Sequence, residues 1–326
     1  MNLPYTMRLL CLCCASFFMV HMALAILARL SAGTAIRVAE HMKPRAAARL
    51  LFAIRVSPLV LTLLAVLGFC IPSYLWLEPE AAAERVGFVC MVLAVSGIVI
   101  WASALLRVGG AIRGTVRYLH HCQHHGRKIA VPGEVSPALV LTGKAPVLAV
   151  AGVFRPQLVI SRRVIRGLSA EERTAALRHE QAHRTSGDNF KRFLILLSPD
   201  IFPFIRTFGA MERAWSRFTE WAADDQATDG DPQQALSLAS ALVRVAKMGS
   251  GPRLGYLSCS LLGEDQALSA RVDRLLRPQV KPQKPVKALI PLLTGAGAII
   301  TSAVAIITLW PGSLTVVHRA LEQLVH

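Results

Sequence analysis

Charge is scarce in this chain of 326 residues, of which only 17% are Asp, Glu, Lys or Arg; soluble domains carry roughly a quarter. Aromatics are thin at 6%, and 20 carboxylates face 36 Lys and Arg. With 53% hydrophobic residues and a mean hydropathy of +0.46, the balance excludes an ordinary soluble protein and points first to membrane spans. The chain also lacks a disulfide framework. Of its seven cysteines, Cys11, Cys13, Cys14, Cys70 and Cys90 lie in apolar runs, and Cys122 and Cys259 are expected where thiols stay reduced. Cys11-Leu12-Cys13-Cys14 is read as packing near a helix end rather than as a lipidation or metal site. No internal repeat stands out.

Four apolar runs are long enough to cross about 30 Å of hydrocarbon: Leu9 to Ala28, Val56 to Leu77, Val86 to Leu106 and Ala288 to Leu309. None contains Asp, Glu, Lys or Arg. The first resembles a signal peptide at Ala23-Leu24-Ala25, but its apolar stretch is too long and three more runs follow, so a retained signal-anchor is expected. His21, inside that run, is expected to pack against a helix or lie at the interface.

The net charge of +16 is mostly an orientation signal. Arg29, Arg37, Lys43, Arg45, Arg49 and Arg55 separate the first two runs, whereas Glu78, Glu80 and Glu84 lie between the second and third. Arg107, Arg113, Arg117, Arg127 and Lys128 follow the third, and Lys281, Lys284 and Lys287 precede the fourth. The positive-inside bias places the first loop and residues 107–287 in the cytoplasm. The N-terminus, the acidic loop and the tail 310–326 then face outward. This describes a multi-pass protein of the inner (cytoplasmic) membrane, with the lipid bilayer as a partner and no direct nucleic-acid contact, since the cations flank spans rather than gather on one soluble face.

Residues 107–287 are ample for a core of their own. The histidine-rich stretch Tyr118 to Lys128 is read as a basic segment beside the membrane, and Arg277 to Lys287, with three prolines and four cations, as an extended tether against anionic headgroups. Between them, Pro146 to Ser161 breaks into two β-like runs around Gly152 and Pro156. Ser169 and Glu172 make a capping box, Ser169 at the N-cap and Glu172 three residues on, and Gly187 is a plausible stop. The helix so bounded contains Arg178-His179-Glu180-Gln181-Ala182-His183.

His179 and His183, four apart, project from one helical face at a spacing that suits two ligands of one tetrahedral Zn2+. Glu180 is rotated away from them and is placed instead to act on a water at the metal, as in H-E-x-x-H metallohydrolases. The candidate third ligand is Glu220, in a stretch from Met211 to Ala227 that lacks Pro and Gly and reads as a second helix lying across the first. Asp224, one turn on, is placed to orient a ligand histidine. Taken alone, Glu220 and Asp224 read as a solvated acidic face; with the histidines, they read as ligand and support. Phe193 to Phe208, broken by Pro199, Asp200 and Pro203, is too short to span and reads either as a re-entrant or interfacial segment or as a buried core hairpin. An extended substrate is expected to add a strand beside Pro146 to Val153 or Leu158 to Ser161. No group stands out as the oxyanion's partner; Tyr256, His125 and several arginines are available.

His179-Glu180-x-x-His183 followed by Glu220-x-x-Ala223-Asp224 resembles the gluzincin membrane metallopeptidases. Gly152, Pro156, Leu158 to Ile160, the Leu168 to Glu172 helix start and Asp188 are similar too. Three spans before the peptidase unit and one after it resemble the BlaR/MecR antirepressor family of β-lactam sensor-transducers more than the CAAX-protease/heat-shock membrane proteases. The resemblance implies a mainly α membrane protein whose four transmembrane helices bracket a cytoplasmic α+β zincin-like metalloprotease domain between helices 3 and 4. It also implies Asp188 as a second support for the metal site, and signalling by cleavage of a cytoplasmic repressor or of the chain itself. Two departures stand out. Only Trp310 to His326 follow the fourth run, so no external penicillin-binding sensor is expected and a separate sensor protein or the lipid would supply the signal; and Phe202-Pro203 stands where the family has Asn-Pro.

Overall fold

The computed structural model describes residues 4–77, 86–129, 138–143, 145–249, 257–261, 268–277 and 316. The fourth apolar run, all but one residue of the tail 310–326, the acidic residues 78–85 and Tyr256 lie outside them. Three long helices open the chain: α1 (Tyr5–Glu40), α2 (Pro44–Ala65), continued through a π-helical turn at Val66–Cys70 into α3 (Ile71–Leu77), and α4 (Phe88–His125). Each is long and apolar enough to cross a membrane. The first two expected spans fall within these helices, and the third begins two residues late, at Phe88.

α1 has 36 residues, which at 1.5 Å each makes about 54 Å, well beyond the hydrocarbon thickness. Its seam explains where the excess goes. Ala25, Ala28, Ala32, Ala35 and Ala39 are buried at alternating spacings of three and four and pack against Ala47, Ala48 and Leu51 of α2. Small side chains at a heptad-like spacing let the two backbones approach closely. α4 packs on the other end of α1 just as tightly: a Cβ added to Gly97 would stand 2.4 Å from the Cys14 carbonyl oxygen. Pro44 starts α2 at a position where its missing N–H costs nothing.

A five-stranded mixed sheet follows, β1 (Gly126–Ile129), β2 (Ala138–Leu141), β3 (Leu148–Ala151), β4 (Gln157–Ser161) and β5 (Ser258–Ser260), in the order β1-β2-β4-β3-β5. Only β2 and β4 run parallel. The two β-like runs expected between Pro146 and Ser161 are β3 and β4. The open edges expected there do not exist: β3 is paired with β4 and β5, and β4 with β2 and β3. The expectation failed because β2, just upstream, closes the outer side of β4 and β5, about a hundred residues further along the chain, closes that of β3.

The remaining elements are α5 (Arg162–Gly167), α6 (Ala170–Ser186), α7 (Asp188–Leu197), α8 (Gly209–Thr228), α9 (Pro232–Lys247) and α10 (Leu268–Leu276). One core joins Val140, Val150, Leu158 and Ile160 of the sheet to Ala175 and Ala176 of α6 and to Leu238 and Leu242 of α9. A second joins α1 and α2 to Ile195, Ile201, Met211, Trp215 and Phe218. α8 belongs to this second core and also packs against α6. Phe193 to Phe208 is part amphipathic α7 and part loop: Leu197 packs with Leu12, Phe17 and Leu59, whereas Phe202, Phe204 and Ile205 are exposed.

Candidate metal centre

The capping box forms as expected: the Ser169 hydroxyl accepts from the Glu172 amide, and Glu172 accepts from the Ser169 amide at 2.8 Å. Gly187 ends α6 at φ 67°, the left-handed conformation that favours glycine. Between these ends Glu172, Ala175, Ala176, His179 and His183 form one buried stripe. The packing that buries the alanines therefore takes both imidazoles out of water.

α8 crosses α6 and completes a donor set. His179 Nε2 and His183 Nε2 are 3.1 Å apart, and Glu220 Oε2 lies 3.5 Å from the first and 3.6 Å from the second. Three atoms bound tetrahedrally at about 2.0–2.1 Å stand roughly 3.3–3.4 Å from one another, so this triangle fits one divalent ion. All three residues are buried, and they make the one cluster of three or more potential ligands among the described residues.

The supporting carboxylates are also in place. Asp188 Oδ2 lies 2.9 Å from His183 Nδ1, and Lys191 Nζ donates to the other Asp188 oxygen at 2.8 Å. Asp224 Oδ1 lies 3.0 Å from His179 Nδ1, in ion-pair range though short of hydrogen-bond alignment. With a proton on each Nδ1, both Nε2 lone pairs face the same point.

Glu180 is fully buried, and neither carboxylate oxygen has a hydrogen-bond partner. Burial pushes its pKa up to about 7, against the pull of His179 and His183. Burial alone would also raise Glu220, but the charges of His183 and Arg271 hold it well below the ordinary value. Asp224 is lowered to about 2, the Arg271 guanidinium outweighing burial. His179 is shifted upward: burial opposes its charge, and the Asp224 and Glu220 carboxylates override it. A buried, unpartnered carboxylate beside converging lone pairs is a cation's surroundings.

Two further residues complete the site. Asn189 donates to the carbonyls of Val150 and Gly152 at 3.0 and 2.9 Å, fastening α7 to β3. Arg271 of α10 is fully buried against Asp224 and Glu220. Its signal was present in the sequence: Leu268, Arg271, Val272 and Leu275 share one helical face, and a lone cation in an apolar stripe demands a buried partner. A cleft of about 230 Å³ opens beside His183, lined by Val150, Val153, Phe154, Pro156 and Phe190 among others. His120 and His124 bring their Nε2 atoms within 3.3 Å on the exposed end of α4, but no third ligand joins them among the described residues. His125 bonds the His121 carbonyl.

Fold and centre together define a membrane protein with a buried two-histidine, one-carboxylate site of metallopeptidase type. The family model described as BlaR1 peptidase M56 matches residues 81–275, more than half of the chain, and the chain belongs to that family. Membership implies peptidase activity and a metal. No curated protein matches the chain.

Proposed function

We propose that this chain is an integral-membrane zinc endopeptidase that cuts a protein substrate as a step in regulatory signalling. One observation carries the reading: His179, His183 and Glu220 converge from two helices around a point beside the unpartnered carboxylate of Glu180. Nitrogen and carboxylate donors with a fourth position left open suit catalytic zinc. When bound there, zinc would acidify a water and polarise the scissile carbonyl. Glu180 accepts the water's proton and passes it to the leaving amine; with no protein hydrogen bond on either oxygen, its carboxylate is free for both tasks. Asp188 and Asp224 hold the imidazoles in the tautomer and orientation that ligation needs. Because β3 and β4 offer no free edge, the substrate enters by the cleft beside His183, where Phe154 and Phe190 favour an apolar side chain.

The charge pattern supports an inner-membrane orientation with the N-terminus outside and the peptidase unit, residues 107–287, in the cytoplasm between the third span and a fourth at 288–309. The substrate is then a cytoplasmic protein near the bilayer, a transcriptional repressor or the chain itself, with the trigger supplied by a separate sensor protein or by the lipid. Purified Glu180→Gln should keep one zinc per chain and lose cleavage by at least about 100-fold, whereas Glu220→Ala should lose most of the metal as well. Metal analysis beside a proteolysis assay decides: wild-type cleavage by Glu180→Gln removes its role as the base. Comparing the proteomes of cells carrying the wild type and Glu180→Gln identifies the substrate as the fragment that depends on this carboxylate.

A further inference from the structure

We infer that Arg271 is a positioning residue of the metal centre, tying α10 to both carboxylates of α8. This rests on the metallopeptidase reading and extends it. The guanidinium grips Asp224 as a fork, Nε to Oδ2 at 2.9 Å and Nη2 to Oδ1 at 2.7 Å. Its Nη1 donates to the Leu261 carbonyl at 2.6 Å and lies 3.2 Å from Glu220 Oε2, and its Nη2 is 3.4 Å from His179 Nε2. One side chain thus touches a ligand carboxylate, a ligand imidazole and the aspartate behind that imidazole.

The geometry separates positioning from catalysis. All three nitrogens of Arg271 donate to the protein, two of them to Asp224 and one to the Leu261 carbonyl, which fixes the guanidinium as a strut between α8 and α10. The planar fork also cannot be copied by a lysine, which brings the same charge as a single point without the paired geometry. Arg274, one turn on, pairs with Asp225 and lies against Trp221. Asp225 touches none of the ligands in this arrangement, which makes Arg274 the matched control on the same helix.

One further relation follows from valence. The lone pair of His179 Nε2 can face an ion or the Nη2–H of Arg271, not both. An ion at that nitrogen would take the place of the Nη2–H while the fork on Asp224 stays, so metal binding reaches α10 through this shared atom.

Cobalt titration of the full chain in detergent tests the inference, reading affinity together with the visible absorption of the bound ion. Arg271→Lys should weaken binding by about 10–100-fold and alter the spectrum, the range typical when a ligand's supporting residue is changed. Arg274→Lys should leave both as in the wild type. Arg271→Lys with wild-type affinity and spectrum would overturn the inference. Should the lysine variant not fold, hydrogen exchange on the wild type serves instead: zinc should change protection in residues 268–276 as well as in α6 and α8, and an unchanged α10 would equally overturn it. A wild type that takes up no cobalt or zinc would sink the peptidase reading, a separate result.

Discussion

Two buried ionic centres lie at opposite ends of α8, and they are built on opposite principles. Near its start, Arg55 of α2 donates to Glu212, to the Ser198 hydroxyl and to the Ser198 carbonyl at 3.1, 2.8 and 3.0 Å, reaches Asp200 at 3.4 Å, and lies over the Phe208 ring. Arg107 of α4 also pairs with Asp200, and His21 of α1 meets the Pro199 carbonyl. Every acceptor here, on Asp200, Ser198 and Glu212, is partnered, and the buried atoms left over are donors or a ring nitrogen at its margin, on Arg107 and His21. Further along, the metal centre leaves both oxygens of Glu180 and Oε2 of Glu220 without a hydrogen bond. A buried network whose carboxylates are all partnered holds a structure together; one that leaves carboxylate oxygens open suits a cation. The first centre clamps three apolar helices to the loop that launches α8, and the second uses the far end of the same helix for chemistry.

Breaking each centre should therefore give different outcomes. The largest effect is expected from Arg55→Met, which removes the buried cation joining Ser198, Asp200 and Glu212 and leaves Asp200 to Arg107 and Glu212 to Arg206. With those partners remaining, it should cost about 2–4 kcal/mol of stability, read as thermal unfolding in detergent, with metal stoichiometry unchanged in the protein that remains folded.

At the metal centre the sign reverses. Glu180→Gln should stabilise the metal-free protein at pH 8, by at most about 3 kcal/mol for a carboxyl group shifted from 4.5 to about 7. The folded state prefers the protonated form, so the wild type loses stability as pH rises from about 4.5 through 7. The upward shift of His179 acts in the same direction, its contribution being lost as pH rises through the folded value. The advantage of the glutamine variant should thus fall below about 1 kcal/mol at pH 5 and vanish near pH 4. A flat pH dependence of the wild type, measured without metal, would contradict the state assigned to Glu180.

Smaller effects sharpen the comparison by touching only the frame of α6. Gly187→Ala meets no atom within 4 Å but must hold φ 67°, at a cost of about 1–2 kcal/mol. Ser169→Ala removes one half of the capping box and should cost about 1 kcal/mol; Glu172 keeps its bond to Ser240 at 2.6 Å. Neither should alter which ions bind, a point the cobalt spectrum would check.

Much of the site was legible because local rules govern it. The capping box, the glycine stop and the four-residue spacing of His179 and His183 are properties of one helix, and Glu220 and Asp224 repeat that logic on another. Arg271 escaped because nothing near it in the chain announces its partners, although its place in an apolar stripe was a visible anomaly. β5 escaped for a related reason: three residues, Ser258 to Ser260, carry too little pattern to be read as a strand, and its partner β3 lies far back in the sequence. The helices ran longer than the apolar runs because alanine at heptad-like spacing continues α1 past the hydrocarbon-length segment, with packing against α2 replacing lipid.

The order of residues alone determined the apolar helices, the bounded helix with its two histidines, and the identity of the carboxylates that join them, since each depends on contacts within a few turns. Only the tertiary structure decided that α8 lies across α6 closely enough for three donors to meet, that β5 closes the edge of β3, and that Arg271 reaches the metal centre from α10. Those outcomes depend on packing between segments some forty to more than a hundred residues apart, where side-chain volume and burial, rather than spacing along the chain, select the neighbour.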